Sequence, residues 1–254
     1  MRAAGTSLRR PPRSKTATPA IGPAGDRRGD EARRSLLAAA LDEFSHRGLE
    51  DATTREIARK SGQNIAAIAY HFGSKEGLYI AVADAIAARM RAMLGPELER
   101  MEALSRDPSS SSAACLEGVK TLLRGMCHAM TMEETRAFSR IIIREQIDPT
   151  AAFDTLYRNS IGRMHMTVTI LAARVVGDDP QSTAAVIRAH ALVGSVLGFR
   201  VARETILRRA GWKTIGPGET ASICDAITEQ ADVLLRGLRA ARRRTSSSSS
   251  RGQR

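Results

Sequence analysis

Gln63, Asn64, Tyr70, His71 and Lys75, with Thr53 and Thr54 just upstream, are the side chains here whose types and spacing suit one chemistry. The amides of Gln63 and Asn64 can pair with the edge of an adenine. Hydroxyl, imidazole and ammonium groups can donate to phosphate oxygens. Other chemistries lack their residues. There is no Walker loop, nucleophile elbow, HExxH or paired-cysteine zinc motif. Cys127-His128 and Met164-His165-Met166 hold soft metal ligands, but no pair has the i, i+4 histidine spacing that chelation favours. His46 and His190 fit a helix surface and a core better than a catalytic base. No catalytic residue, metal or cofactor is expected.

The elements that must hold these side chains are legible around them. Thr53-Thr54-Arg55-Glu56 is a capping box opening a short helix that ends at Ser61-Gly62. A second short helix covers about 65–71, and Ser74 caps a third that starts at Lys75 and runs to about Leu94, before Gly95-Pro96. The first two form a helix-turn-helix. Ile57 and Ala58 can pack on Ile68 and Phe72, and Ala66, Ala67 and Ala69 permit close approach. In such a motif the second helix enters the major groove, with its N-terminal residues, here Gln63 and Asn64, nearest the bases. Lys75 and the free N–H groups of its helix can meet a phosphate.

The block Thr54-Arg55-Glu56-Ile57-Ala58, Ser61-Gly62 and Tyr70-His71-Phe72-Gly73-Ser74-Lys75-Glu76-Gly77-Leu78-Tyr79 resembles the DNA-binding domain of TetR/AcrR-type transcriptional regulators. Ala40-Leu41-x-x-Phe44 and Gly48 stand before it at the matching distance. The resemblance implies an all-α homodimer with a three-helix head, a helical ligand-binding and dimerisation body, and release from DNA by a small molecule. Asn64-Ile65-Ala66-Ala67-Ile68, the run Phe138 to Thr150, and Arg188-Ala189-His190-Ala191-Leu192-Val193-Gly194 with Phe199-Arg200 and Arg203 resemble the CecR-like branch, which is linked to efflux and antibiotic-sensitivity genes. That branch usually carries an aromatic residue or Asn where this chain has Ala69. Carried over, the DNA contacts fall on Thr54 and Lys75 (phosphate), Gln63, Asn64 and Ala66 (base edges), and Ala69, Tyr70 and His71 (phosphate or thymine methyl).

The 254 residues carry a net charge of +12, and 43% are hydrophobic, too many for a wholly disordered chain. Residues 1–28 hold seven basic side chains against one acid, and residues 236–254 hold seven against none, so the centre is balanced. Residues 1–28 and 241–254, broken by prolines and by a five-serine run, are expected to be disordered basic tails. Between them, 29–75 is the expected head and 76–240 the expected body, giving about nine helices and no strand. The helices past Leu94 are expected at 113–129, after the capping box Thr131-x-x-Glu134, at 150–176, 181–209 and 220–240, with a mobile loop at 105–112. Asp148-Pro149 and Asp179-Pro180 are read as N-terminal signals. No apolar run is long enough to span a membrane and no secretory h-region is present. Three widely spaced cysteines point to free thiols and a cytoplasmic setting.

Met126, Met130, Phe138, Ile142, Met166 and Phe199, with Arg140 and Arg144 interrupting their apolar run, are candidate pocket residues. Each arginine, if buried, needs an anionic partner. Ala191, Gly194, Leu197 and Gly198 are candidates for the dimer face. The expected partners are a pseudo-palindromic double-stranded DNA operator, a second copy and an unknown small-molecule effector. The alternative is a nonspecific nucleic-acid-binding protein driven by its tails; it predicts that deleting them abolishes binding.

Overall fold

A computed structural model describes residues 23–249, and all regular structure among them is helical. The segments are α1 (Pro23–Asp51), α2 (Thr54–Ser61), α3 (Ile65–Phe72), α4 (Lys75–Arg106), α5 (Ser112–Thr131), α6 (Arg136–Ile147), α7 (Ala151–Leu156), α8 (Gly162–Val176), α9 (Thr183–Val201), α10 (Arg203–Ala210) and α11 (Pro217–Ser249). A 3-10 turn precedes α6, and a π-helical turn (Tyr157–Ile161) joins α7 to α8.

Two apolar cores organise these helices. The first gathers Leu36, Ala40 and Phe44 of α1, Ile57 of α2, Ile68 of α3 and Leu78, Tyr79, Val82 and Ile86 of α4. It also takes in Ile141 and Ile142 of α6 and Leu156 of α7, so this core extends past residue 75. The second core packs α5, α8, α9 and α11 through Leu116, Leu122, Val168, Leu171, Val196, Ile227 and Leu235. Burying one such side chain contributes roughly 1.5–3 kcal/mol. Gly118 of α5 permits the close approach there: an added Cβ would stand 3.0 Å from atoms of Leu104 and Met101 and 3.1 Å from Leu171.

Several boundaries differ from expectation for identifiable reasons. The first helix breaks at Gly48, as expected, at a φ of +82°. α4 does not stop at Gly95-Pro96 but runs on to Arg106. Pro96 lacks one amide donor, but Leu98 is buried beyond it and Leu94, Met101 and Leu104 pack on the body core, which offsets the loss. The expected capping box at Thr131 is replaced by the 3-10 turn, and α6 starts at Arg136 with no side-chain cap. Asp148 ends α6, and the Thr150 hydroxyl caps α7 instead, accepting from the Ala152 amide at 3.1 Å. Ser182 likewise displaces Asp179 as the cap of α9. The helix expected over 181–209 splits at Ala202 into α9 and α10.

The residues from 241 to 249, expected to be a disordered tail, continue α11. Arg239 donates to Ser112 Oγ, and Arg242 pairs with Asp178, which also receives Arg188 at 2.6 Å. These ties lie at the end of the body where Arg174 donates to the Asp107 carbonyl, just past the C-terminus of α4. At about 1.5 Å per residue, the 32 residues of α4 carry this end about 48 Å from the start of that helix in the head. The helix α1 begins at Pro23, ahead of the expected boundary. The remaining tail residues, 1–22 and 250–254, lie outside the described residues.

α9 corrects one further expectation, since by length and composition it is apolar enough to cross a membrane. Its inner face (Ala185, Ala189, Leu192, Val196) packs in the body core, while Ile187, Ala191, Gly198 and Val201 are exposed.

Candidate nucleic-acid interface

Local sequence fixes the geometry of α2 and α3. The Glu56 amide donates to Thr53 Oγ1 at 3.2 Å, opening α2. Gly62 closes it in the left-handed region at a φ of +67°, and the Gln63 amide donates to the Ala58 carbonyl at 3.0 Å. These bonds set the turn before α3. One face of α3 anchors to the head through Ile68, Ala67 and Phe72. The opposite face presents Ile65, Ala66, Ala69 and Tyr70 to solvent, with Tyr70 84% exposed. Ile65, 49% exposed, and the methyls of Ala66 and Ala69 complete this apolar outward face around the Tyr70 phenol. His71 is half-buried and meets Tyr70 edge-to-face at 4.9 Å.

The structure gives two predicted contact residues other work. Asn64 Oδ1 accepts the Ala66 amide at 2.9 Å and so caps α3. The oxygen keeps a second lone pair and the exposed side chain keeps both N–H donors, so capping α3 and meeting a base edge are compatible. Lys75 Nζ donates to the carbonyls of Glu50 at 3.1 Å and Ala52 at 3.4 Å, so it staples α4 to the end of α1 and does not point outward. The amides at the start of α4 also have partners. Ser74 Oγ accepts from Gly77, and the Glu76 carboxyl, held below its usual range by its own amide and by Ser74, covers the same end. Gln63 is half-buried and Thr54 half-exposed beside the turn.

Most cations of the head are likewise engaged. Lys60 bridges Asp42 at 2.8 Å and the buried Glu43 at 2.7 Å, which fastens α2 to α1, and Arg47 reaches Glu43 at 2.9 Å. Arg59 grips Glu56 with two nitrogens. Arg33 lies over the Phe72 ring, 5.4 Å from its centroid. Arg55, exposed on the first turn of α2, is a candidate phosphate contact that the sequence reading passed over. Only its position two residues after the cap Thr53 could have signalled it.

Head and body meet at α6. The Glu145 carboxylate, 1% exposed, accepts from Tyr79 Oη at 2.9 Å and from the Thr150 amide at 2.9 Å. Burial and the adjacent carboxylate push the Tyr79 hydroxyl well above its ordinary range and keep it a donor. Among the described residues Arg144 meets no acid. Its Nη1 donates to the Phe44 carbonyl at 2.9 Å, across the bare backbone of Gly48.

The expected pocket residues do not converge on one site. Met126, Met130 and Phe199 pack against the body core, while Phe138 and Ile142 belong to the head core. Met166 is 65% exposed. Arg140 and Arg144 line an open groove of about 540 Å³ between α1 and α6, with Ser45, His46, Ile143, Ile147 and Asp148. Among the expected dimer residues, Ala191 and Gly198 are exposed and Gly194 and Leu197 half-buried.

A capped helix-turn-helix on an all-helical body defines a DNA-binding transcriptional regulator. The comparisons agree. Residues 36–82 match the family of bacterial regulatory proteins of the TetR type, and residues 117–238 match the C-terminal domain of the dual regulator CecR. The chain is 40% identical over 216 residues to the HTH-type transcriptional dual regulator CecR of Shigella flexneri, covering 85% of this chain and 96% of that one. It is 36% identical over 87 residues to the repressor AcnR of Corynebacterium glutamicum, covering 34% of this chain and 46% of that one. In fold it is similar to a TetR-like regulator from Rhodococcus sp. RHA1, at a TM-score of 0.57 and 20% identity over 81% of this chain and 96% of that one. The hemolysin II regulator HlyIIR aligns at a TM-score of 0.52 and 16% identity, over 79% and 98%. The chain belongs to the TetR family of transcriptional regulators, in its CecR-like branch. Regulators of this family bind DNA and act as dimers, and the family is in general not enzymatic. The matched regions lie in the helical head and body, which does not favour binding driven by the tails alone.

Proposed function

We propose that this chain is a cytoplasmic, homodimeric regulator that binds a pseudo-palindromic operator through α3 and is released by a small-molecule effector, so that it represses its targets. The observation that carries the DNA-reading surface is the outward face of α3, led by the 84% exposed Tyr70 on a helix fixed by Thr53, Gly62 and Asn64. Tyr70 and Arg55 touch phosphates, Gln63 and the methyls of Ala66 and Ala69 face base edges, and Thr54 and His71 complete the contact. Asn64 and Lys75 position the reading helix.

Support for the dimer comes from α9. Ile187, Ala191, Gly194, Gly198 and Val201 recur at alternating steps of four and three along it, and Val233 and Leu234 of α11 are exposed as well. Such spacing suits a four-helix bundle made of two helices from each copy. Two heads held at fixed separation then read two half-sites. The effector acts if it prefers the released geometry by a few kcal/mol. Efflux or drug-sensitivity genes are the targets proposed from the branch. The S. flexneri relative is named a dual regulator, so activation at some promoters is compatible with this reading. A footprint on the DNA beside the protein's own gene tests it. Protection of two half-sites on one face of the duplex supports it, and no sequence-specific protection anywhere in that DNA refutes it.

A further inference from the structure

Among the described residues, Arg200 carries a buried side-chain nitrogen without a partner. It stands at the C-terminal end of α9 and is half-buried. That nitrogen, Nη2, has no acceptor within hydrogen-bond distance among those residues. The charges that bear on it are Arg136, Arg203 and Arg140, against the single carboxylate of Glu133, which is already engaged by Arg136 at 2.6 Å. Burial first, and then these cations, bring its pKa down to about 10. Arg203, itself mostly buried, has only long contacts, 3.5 Å to Glu204 and 3.5 Å to Thr214. An orphaned guanidinium among other guanidiniums is costly in a core and well suited to one class of guest.

We infer that Arg200, with Arg136, Arg140 and Arg203, forms a binding site for a small-molecule anion, and that this anion is the acidic group of the effector. Two of the four arginines stand on the first turns of α6, and further along the same helix Arg144 and Glu145 hold the head. An anion drawn between α9 and α6 pulls on the helix that fixes the head. The second half of the inference rests on the effector-released reading above; the first does not.

The full-length protein is titrated without DNA, at constant ionic strength made up with sodium chloride, using inorganic phosphate and benzoate as probes. At least one probe should raise the melting temperature, and the one that binds more tightly tells a phosphate from a carboxylate ligand. Arg200→Met should weaken that probe by about tenfold or more. Without any probe it should melt no lower than the parent, because it removes a buried donor lacking a partner. Arg136→Gln should weaken the probe to a smaller extent and serves as the second variant. The site is overturned if neither probe binds, if Arg200→Met binds as tightly as the parent, or if its effect falls on self-association alone. In a gel shift on the footprinted DNA, the bound probe should lower affinity. Unchanged affinity overturns the effector assignment, whereas absence of any specific DNA binding even without the probe, in a protein that still binds the probe, overturns the regulator reading instead.

Discussion

The Tyr79–Glu145 bond joins head to body, and Tyr79→Phe removes it with little else. The ring stays against Phe44, which it meets edge-to-face at 4.9 Å, and only the hydroxyl is lost. Glu145 keeps the amide and hydroxyl of Thr150 as donors, so the carboxylate is not stripped. A hydrogen bond to a buried charged group contributes about 1.5–3 kcal/mol, and Tyr79→Phe should cost that amount in urea unfolding, with an unchanged m-value. Glu145→Ala should cost more, roughly 2–6 kcal/mol, because it leaves the buried Tyr79 hydroxyl and the Thr150 amide without an acceptor. The double variant should cost less than the two single ones together by roughly 1–2 kcal/mol. A pH series adds a signed check. The folded state holds the Tyr79 proton more tightly than the unfolded chain, so its contribution is fully present below pH of about 10 and is lost as pH rises beyond that. Tyr79→Phe should remove that part of the alkaline loss. A cost below about 0.5 kcal/mol, or strict additivity in the double variant, would refute the coupling.

Tyr70→Ala should leave stability within about 0.5 kcal/mol, since the ring is 84% exposed, while weakening operator binding roughly tenfold in a gel shift. Equal affinity would remove Tyr70 from the interface. Lys75→Ala should lower the melting temperature, for a loss of about 1 kcal/mol, and leave the salt dependence of DNA binding unchanged. A slope shallower by about one unit would instead restore the phosphate contact. Gly48→Ala should cost about 1–2 kcal/mol, because alanine is strained at a φ of +82° and its Cβ falls 2.9 Å from Arg144 Nη1. Adding Arg144→Ala should cost less than the sum of the separate effects, and full additivity would show that the clash is absent.

The head was legible because its signals are local. Thr53 with Glu56, Gly62 and Ser74 announce caps within a few residues of the amides they serve, and each is found in place. Where a cap competes with a neighbour, the nearer rule failed. Asp148-Pro149 resembles a helix start, but α6 had not finished, and Thr150 was the residue in extended backbone with its hydroxyl free to turn back. Asn64 and Lys75 take on capping and tying roles that the sequence does not announce, because the same donor and acceptor inventory serves a helix end and a base edge. Tertiary placement decides between them, and Lys75 meets carbonyls 25 and 23 residues away. The bond between Tyr79 and Glu145 spans 66 residues and leaves no local pattern. Arg144 was expected to need an acid if buried; a backbone carbonyl, opened by the missing side chain of Gly48, supplies its acceptor.

These placements bear on how a signal crosses the molecule. α6 belongs to both halves: Ile141 and Ile142 lie in the head core, while Ser139 contacts Met130 of α5, and the Thr135 hydroxyl before the helix donates to the Ala129 carbonyl at 2.6 Å. A small shift of α6 must therefore either carry α1 and α4 with it or break Arg144 from Phe44 and Glu145 from Tyr79. The second route strands a buried carboxylate's donor and a guanidinium at a cost of several kcal/mol. The first leaves those bonds intact and rotates the head as a packed unit, because Phe44, Tyr79 and Ile141 are fully buried in one core and close-packed interiors transmit displacement. Rigid rotation of the head is therefore the cheaper response to a pull on α6. In a dimer it changes the separation of the two reading helices, the quantity that fits them to successive turns of DNA.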